Sequence, residues 1–204
     1  MGSSELLLVD DHDLFTEALS FLLQSLPFVS DVRRASSVRE AKAMLRVSAP
    51  DIALVDLALP DGSGLELFDH LSDAQPDCRV MFMSGHFSPA QLAQLSALEP
   101  HGLFSKTDGA EELQEAIQHL QDGERYLSSN VTKLLGLMDA NISFSPRQLE
   151  ILRLVQSGLT NKAIADQIGV SDSTVAFHLR EVRSRLGIKT TREAIKAVQE
   201  LGLI

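Results

Sequence analysis

Cysteine is almost missing from this sequence. Cys78 stands alone among 204 residues, which excludes an internal disulfide framework and any metal cluster built on thiolates. No apolar run approaches the roughly 18 residues that a membrane span requires, and no charged segment precedes a short apolar stretch at the amino end. Repeats and low-complexity tracts are also missing. Basic residues are few, 18 against 28 acidic, for a formal net charge of −10. A secreted mini-protein, a membrane protein and a disordered chain do not fit, and the cytoplasm is the expected location. Apolar residues, at 44%, are at the level of an ordinary globular protein.

The charge that is present is unevenly spread. Up to Ile142 there are 22 acidic and 9 basic residues; from Ser143 onward there are 6 and 9. An acidic first part and a mildly basic last part predict two domains with different partners. A net of +3 in the second part is modest for a nucleic-acid binder, so motifs must carry that case.

In the first ~120 residues short apolar runs alternate with amphipathic stretches. The runs are Leu6–Val9, Ile52–Val55, Val80–Met83 and Gly102–Phe104, with a weaker one near Val29 to Ala35. Such runs suit strands buried on both faces of a parallel sheet. Between them, Ser37-Val-Arg-Glu40, Ser63-Gly-Leu-Glu66, Ser88-Pro-Ala-Gln91 and Asp108-Gly-Ala-Glu111 read as helix starts, each with a capping side chain three residues before Glu or Gln. Five strands alternating with five helices predict an α/β domain with a doubly wound five-stranded parallel sheet. A linker with one helix follows. From Ser145-Pro146-Arg147-Gln148 onward the pattern is purely helical, with four short helices in a small all-α domain.

In a sheet of this kind ligands bind beyond the carboxyl ends of the strands. The predicted strands run into Asp10-Asp11, Asp56, Ser84 and Lys106. Any one of these residues can be a helix cap; together they place three carboxylates, a hydroxyl and an ammonium at one end. Converging carboxylates repel unless a cation neutralises them. Oxygen-only ligands favour a hard divalent ion such as Mg²⁺. A metal beside a carboxylate suits phosphate chemistry, with Asp56 as acceptor forming an acyl phosphate. Lys106 meets the phosphoryl charge and Ser84 donates a hydrogen bond to it.

Asp10-Asp11-His12, Leu54 to Gly64, Ser84-Gly85 and Gly102 to Lys106 resemble the receiver domain of two-component response regulators. The resemblance implies that Asp56 accepts phosphate from a histidine kinase and that Ser84 and Lys106 sense it. It also implies that Asp10, Asp11, Asp56 and the backbone carbonyl of Ala58 surround Mg²⁺. Two positions depart from the pattern. Receivers usually carry Tyr or Phe three residues before the lysine, where this chain has Leu103; Phe104, its neighbour, faces the other side of the strand. Proline is common after the lysine, where this chain has Thr107. A phosphohydrolase with an aspartyl nucleophile is the enzyme alternative. Such sites place a second Asp two residues after the nucleophile, and here Ala58 stands there.

In the second part, Ser171 reads as an N-cap. At 100° per residue Val175, Leu179, Val182 and Leu186 form one stripe, with Ser173, Phe177 and Arg180 opposite. The preceding short helix ends at Gly169, so the pair reads as a helix-turn-helix. Ser173, Thr174 and the first backbone amides can take phosphate, Arg180 a guanine edge or a phosphate, and Phe177 a thymine methyl. Geometry alone leaves an ordinary bundle with a solvated arginine face open. Phe144 to Gln148, Gly158 to Ala165, Thr174-Val175, His178 and Arg185 to Ile188 resemble the LuxR-type DNA-binding domain. Asn161 and Lys162 match its pattern, and Lys162, Arg183, Arg185 and Lys189 are candidate phosphate contacts. Where the pattern has Lys after Thr-Val, this chain has Ala176.

The whole chain resembles the NarL/FixJ class of response regulators, with a receiver at 4–122, a linker at 123–142 and a helix-turn-helix domain at 143–204. The resemblance implies a transcription factor controlled by phosphorylation, without enzymatic turnover. Its partners would be a histidine kinase, double-stranded DNA and, in the active state, a second copy. The alternative is a receiver that works through protein contacts, with weak or no specific DNA binding.

Overall fold

The computed structural model describes residues 3–75, 77–139 and 144–204. Two compact units emerge, Met1–His86 with Ala93–Thr132, and Phe87–Leu92 with Lys133–Ile204. The chain runs β1 (Ser4–Val9), α1 (Asp13–Gln24), β2 (Val29–Ala35), α2 (Val38–Leu45), β3 (Ile52–Asp56), β4 (Ala58–Leu59), β5 (Gly62–Ser63), α3 (Leu65–Ala74), β6 (Arg79–Ser84), α4 (Pro89–Leu98), β7 (Gly102–Ser105), α5 (Ala110–Gln121), β8 (Tyr126–Leu127) and α6 (Ser129–Asp139). Then come α7 (Pro146–Gln156), α8 (Asn161–Ile168), α9 (Asp172–Leu186) and α10 (Thr191–Glu200).

The central sheet is parallel, in the order β2-β1-β3-β6-β7-β8. The order reverses between β1 and β3, so a crevice opens beyond the carboxyl ends of those two strands. Alternation along each strand assigns the layers. Leu6, Leu8, Ile52, Leu54, Met81, Met83 and Phe104 share one core with Leu19 and Leu23 of α1 and with Leu113, Ile117 and Leu120 of α5. Leu103 is buried on the opposite side of its strand from Phe104, opposite Phe82 in the register. Each fully buried side chain of this size contributes about 1.5–3 kcal/mol through lost apolar exposure.

The sheet has a sixth strand where five were expected. Tyr126 donates its N–H to the His101 carbonyl and Ser128 to that of Leu103, adding β8 to the outer edge. Two residues carry no periodic apolar signal, so only pairing reveals the strand. The stretch expected to be a linker thus holds β8 and α6; its residues 140–142, and the domain start at 143, lie outside the described residues.

Helix starts follow the expected caps at Ser37, Ser88, Ser145 and Ser171, and Thr160 and Thr190 cap α8 and α10. Two differ. The N-caps of α3 and α5 are Gly64 and Gly109 rather than Ser63 and Asp108. Ser63 accepts from Leu65 N–H instead, and the Asp108 carboxylate is taken by Asn130. In the helical unit Ile151, Leu152, Ile164, Val175, Leu179, Val182, Ala194 and Val198 form one core. Gly169 and Gly187 end α8 and α9 at φ 70° and 66°, a left-handed backbone that glycine adopts without strain.

Candidate functional site

The residues at the carboxyl ends of β1 and β3 converge. Asp10 follows β1 and Asp56 is the last residue of β3; both are buried. Lys106, one residue past β7, brings its Nζ to 2.5 Å from Asp10 Oδ2 and 2.6 Å from Asp56 Oδ2. The Lys106 backbone N–H donates to the Ser84 carbonyl, which fixes the loop beside β6. Asp56 Oδ1 accepts from Ala58 N–H at 3.3 Å. Asp11 is more exposed, and one ligand atom from each of Asp10, Asp11, His12 and Asp56 lies within 4.8 Å of the others.

Two residues that sequence reasoning passed over belong here. His12 Nδ1 lies 3.0 Å from both Asp10 Oδ1 and Asp11 Oδ1, and its N–H donates to Asp10 Oδ1. The Phe15 ring lies 5.0 Å from Lys106 Nζ and walls the ammonium on one side. The Asp-Asp-His run did show His12 as a neighbour, whereas nothing in the sequence points to Phe15.

The donor set suits a hard cation. Carboxylate oxygens dominate it, and Asp10 Oδ2 is buried and ion-paired but has no aligned hydrogen bond. Gly64 is required for the backbone next to Asp56: a Cβ there would lie 2.0 Å from the Asp56 carbonyl oxygen. At Gly85 a Cβ would meet nothing within 4 Å, so the approach beside Ser84 is open. The Ser84 hydroxyl is turned to its own loop, donating to the His86 carbonyl at 2.6 Å and accepting from His86 N–H at 3.1 Å.

On the helical unit, α9 buries Val175, Leu179, Val182 and Leu186 and exposes Ser173, Phe177, Arg180 and Arg185. Phe177 is 53% exposed, a large apolar cost without a partner. Its ring meets the half-buried His178 edge-on, with centroids 5.7 Å apart. The hydroxyls of Ser171, Ser173 and Thr174 cluster at the amino end of α9, with Ser171 Oγ 2.7 Å from each of the other two. Lys162 is exposed on α8, which packs on α9, and Asn161 is half-buried. Arg183 turns back instead, its Nη1 donating to the Lys189 carbonyl. Lys189 itself is exposed.

A receiver fold with an acidic, lysine-bridged crevice, together with a helix-turn-helix unit, defines a class, and comparison with known proteins agrees. The family model described as response regulator receiver domain matches residues 6–118. That of the luxR family of bacterial regulatory proteins matches residues 142–198. The chain belongs to the response regulators that join these two domains, the NarL/FixJ class.

The DNA-binding transcriptional activator DevR/DosR of Mycobacterium tuberculosis is 30% identical over 95% of this chain and 93% of its own length. The nitrate/nitrite response regulator NarL of Escherichia coli is 27% identical over 93% and 92%. Among solved structures, RcsB of Salmonella typhimurium aligns with a TM-score of 0.64 at 21% identity, covering 98% of this chain and 99% of that one, and shares the fold.

Proposed function

We propose that the protein is a transcription factor switched by phosphorylation at Asp56. The observation that carries this is the position of Lys106 Nζ between the buried Asp10 and Asp56 carboxylates. In that step an Asp56 oxygen attacks the phosphorus of a phosphohistidine. The O–P bond forms, the N–P bond breaks, and the imidazole of the kinase leaves with a proton from solvent. Asp10, Asp11 and Asp56, with the Ala58 carbonyl, would hold Mg²⁺, which when bound supplies positive charge at the phosphoryl oxygens. Lys106 then meets one phosphoryl oxygen as a point charge. The Ser84 hydroxyl must leave His86 to reach another.

With Ala58 where a phosphohydrolase carries its acid, the chain is a phosphoacceptor and not a turnover enzyme, and the acyl phosphate persists. The receiver occupies 4–122 together with the edge strand β8, α6 leads on toward the DNA-binding domain at 143–204, and the chain works in the cytoplasm, where kinase and operator meet. Phosphorylation shifts the ensemble toward a dimer on a two-half-site operator. There α9 enters the major groove with Phe177 and Arg180 at base edges, while His178 closes the apolar side of Phe177. Asn161, Lys162, Ser173, Thr174, Arg185 and Lys189 meet phosphates, and Arg183 joins them once it releases the Lys189 carbonyl. The match of residues 142–198 to the luxR family of bacterial regulatory proteins favours DNA over the alternative of a receiver that acts through protein contacts alone.

The test is labelling with a small phosphodonor in Mg²⁺. Wild type should take up one phosphoryl group and Asp56→Ala none; label retained in the variant places the acceptor elsewhere.

A further inference from the structure

The loop that carries Lys106 is tied on its far side to the start of α6. Ser105 N–H donates to the buried Ser128 Oγ at 3.0 Å. Ser105 Oγ and Thr107 Oγ1 are 2.8 Å apart. Asn130 Nδ2 donates to Thr107 Oγ1 at 3.1 Å and also to Asp108 Oδ1, while Asn130 N–H donates to Asp108 Oδ2 at 3.3 Å. Ser129 N–H donates to Glu112 Oε1 at 2.5 Å. So the residues on both sides of Lys106 are bonded to residues 128–130, and free amides of the first turn of α6 are satisfied by side chains from the β7–α5 loop and α5.

We propose that Asn130 is a positioning residue for the phosphoryl site: through Thr107 and Asp108 it holds the Lys106 loop, and movement of Lys106 toward a phosphoryl group loosens the start of α6. The proposal rests on the phosphoacceptor reading of Asp56. Its physical basis is short. Thr107 and Asp108 follow Lys106 in the chain, so a shift of the loop backbone that carries the ammonium toward an incoming anion draws them along. Those two residues supply the Asn130 side chain with its acceptors. Thr107 replaces the proline that receivers commonly carry, and a proline has no hydroxyl to offer. Leu103 removes the usual aromatic from the switch position, and the Thr107–Asn130 contact provides another route out of the site. Coupling is reciprocal, so breaking the latch must also change the affinity of the site for a phosphoryl group.

The test uses the full chain with beryllofluoride and Mg²⁺ as the phosphoryl mimic, and reads amide hydrogen exchange at 128–132 together with affinity for the mimic. In wild type the mimic should speed exchange there by about fivefold. Asn130→Ala should exchange fast without the mimic, show no further rise with it, and bind the mimic about fivefold more tightly. Thr107→Val, which keeps shape and loses only the hydroxyl, should shift both readings in the same direction by less. Unchanged exchange in wild type while the mimic binds overturns the latch and leaves the phosphoacceptor reading standing. Failure of the mimic to bind wild type overturns that reading and the latch with it. A variant with fast exchange and unaltered affinity for the mimic also overturns the proposal, since it assigns Asn130 to helix capping alone.

Discussion

Lys106 Nζ is 2.6 Å from Asp56 Oδ2, and the same nitrogen holds Asp10 Oδ2 at 2.5 Å. One ammonium therefore bridges two buried carboxylates without neutralising both, and a third, on Asp11, lies close by. Removing it leaves like charges facing each other away from water, which is costly until a proton or a cation arrives.

Lys106→Ala should accordingly lose about 3 kcal/mol of stability at neutral pH in a chelating buffer. Mg²⁺ should restore most of it while the variant still binds the ion, and phosphorylation should no longer promote dimers. Urea titrations with and without Mg²⁺ measure the first effect and sedimentation the second. A denaturation midpoint that ignores both the mutation and the ion would show that the three charged groups do not interact as described.

Arg180→Ala should weaken operator binding by roughly 1–3 kcal/mol if the guanidinium reads a base, and should relax preference at one position of each half-site. The quantity to measure is the dissociation constant against salt on specific and scrambled fragments. Loss of a phosphate contact instead would lower the log–log salt slope by about 0.9 and leave site preference intact.

His101 supplies a pH signature. Its Nδ1 accepts the Val80 N–H at 3.1 Å, which needs a neutral ring on that nitrogen. Burial, then the charges of Arg79 and Arg125, hold the imidazole below its ordinary value of 6.5. As pH falls through 6.5 the unfolded chain takes up the proton before the folded one does. The stabilisation is thus complete above that value and is lost on the way down to the lowered folded value. His101→Gln, whose amide oxygen can accept the same bond, should flatten the part of the stability–pH curve below pH 6.5 that His101 causes. Parallel curves for wild type and variant would remove the imidazole from the account.

Much of this was readable from residues alone, for definite reasons. Leu6 to Val9 and Ile52 to Val55 are continuous apolar runs, and only strands covered on both faces need such runs. Ser171 and Gly169 bracket a turn that few other residues would build, and the α9 stripe at Val175, Leu179, Val182 and Leu186 follows from helical period. Asp10, Asp56 and Lys106 were legible because each ends a recognisable strand. What stayed hidden depends on pairing across the fold. Tyr126 and Leu127 join the sheet only through the His101 and Leu103 carbonyls. Asn130 finds Thr107 23 residues away, and no periodicity connects them. Phe15 lies over Lys106 because α1 packs on the sheet there, a relation between elements rather than within one. The Asp108 side chain could cap its own helix or serve another residue, and only the arrival of Asn130 decides between them.

The edge strand has one more consequence. The chain contains no tryptophan and a single tyrosine, and that tyrosine is Tyr126, half-buried in β8 with its ring centroid 5.3 Å from that of His119. Tyrosine emission from this protein, excited beyond the phenylalanine band, therefore comes from one known spot on the outer border of the receiver. Without labels or engineered probes, a simple fluorimeter can follow what happens there, four positions before Asn130, as signalling proceeds.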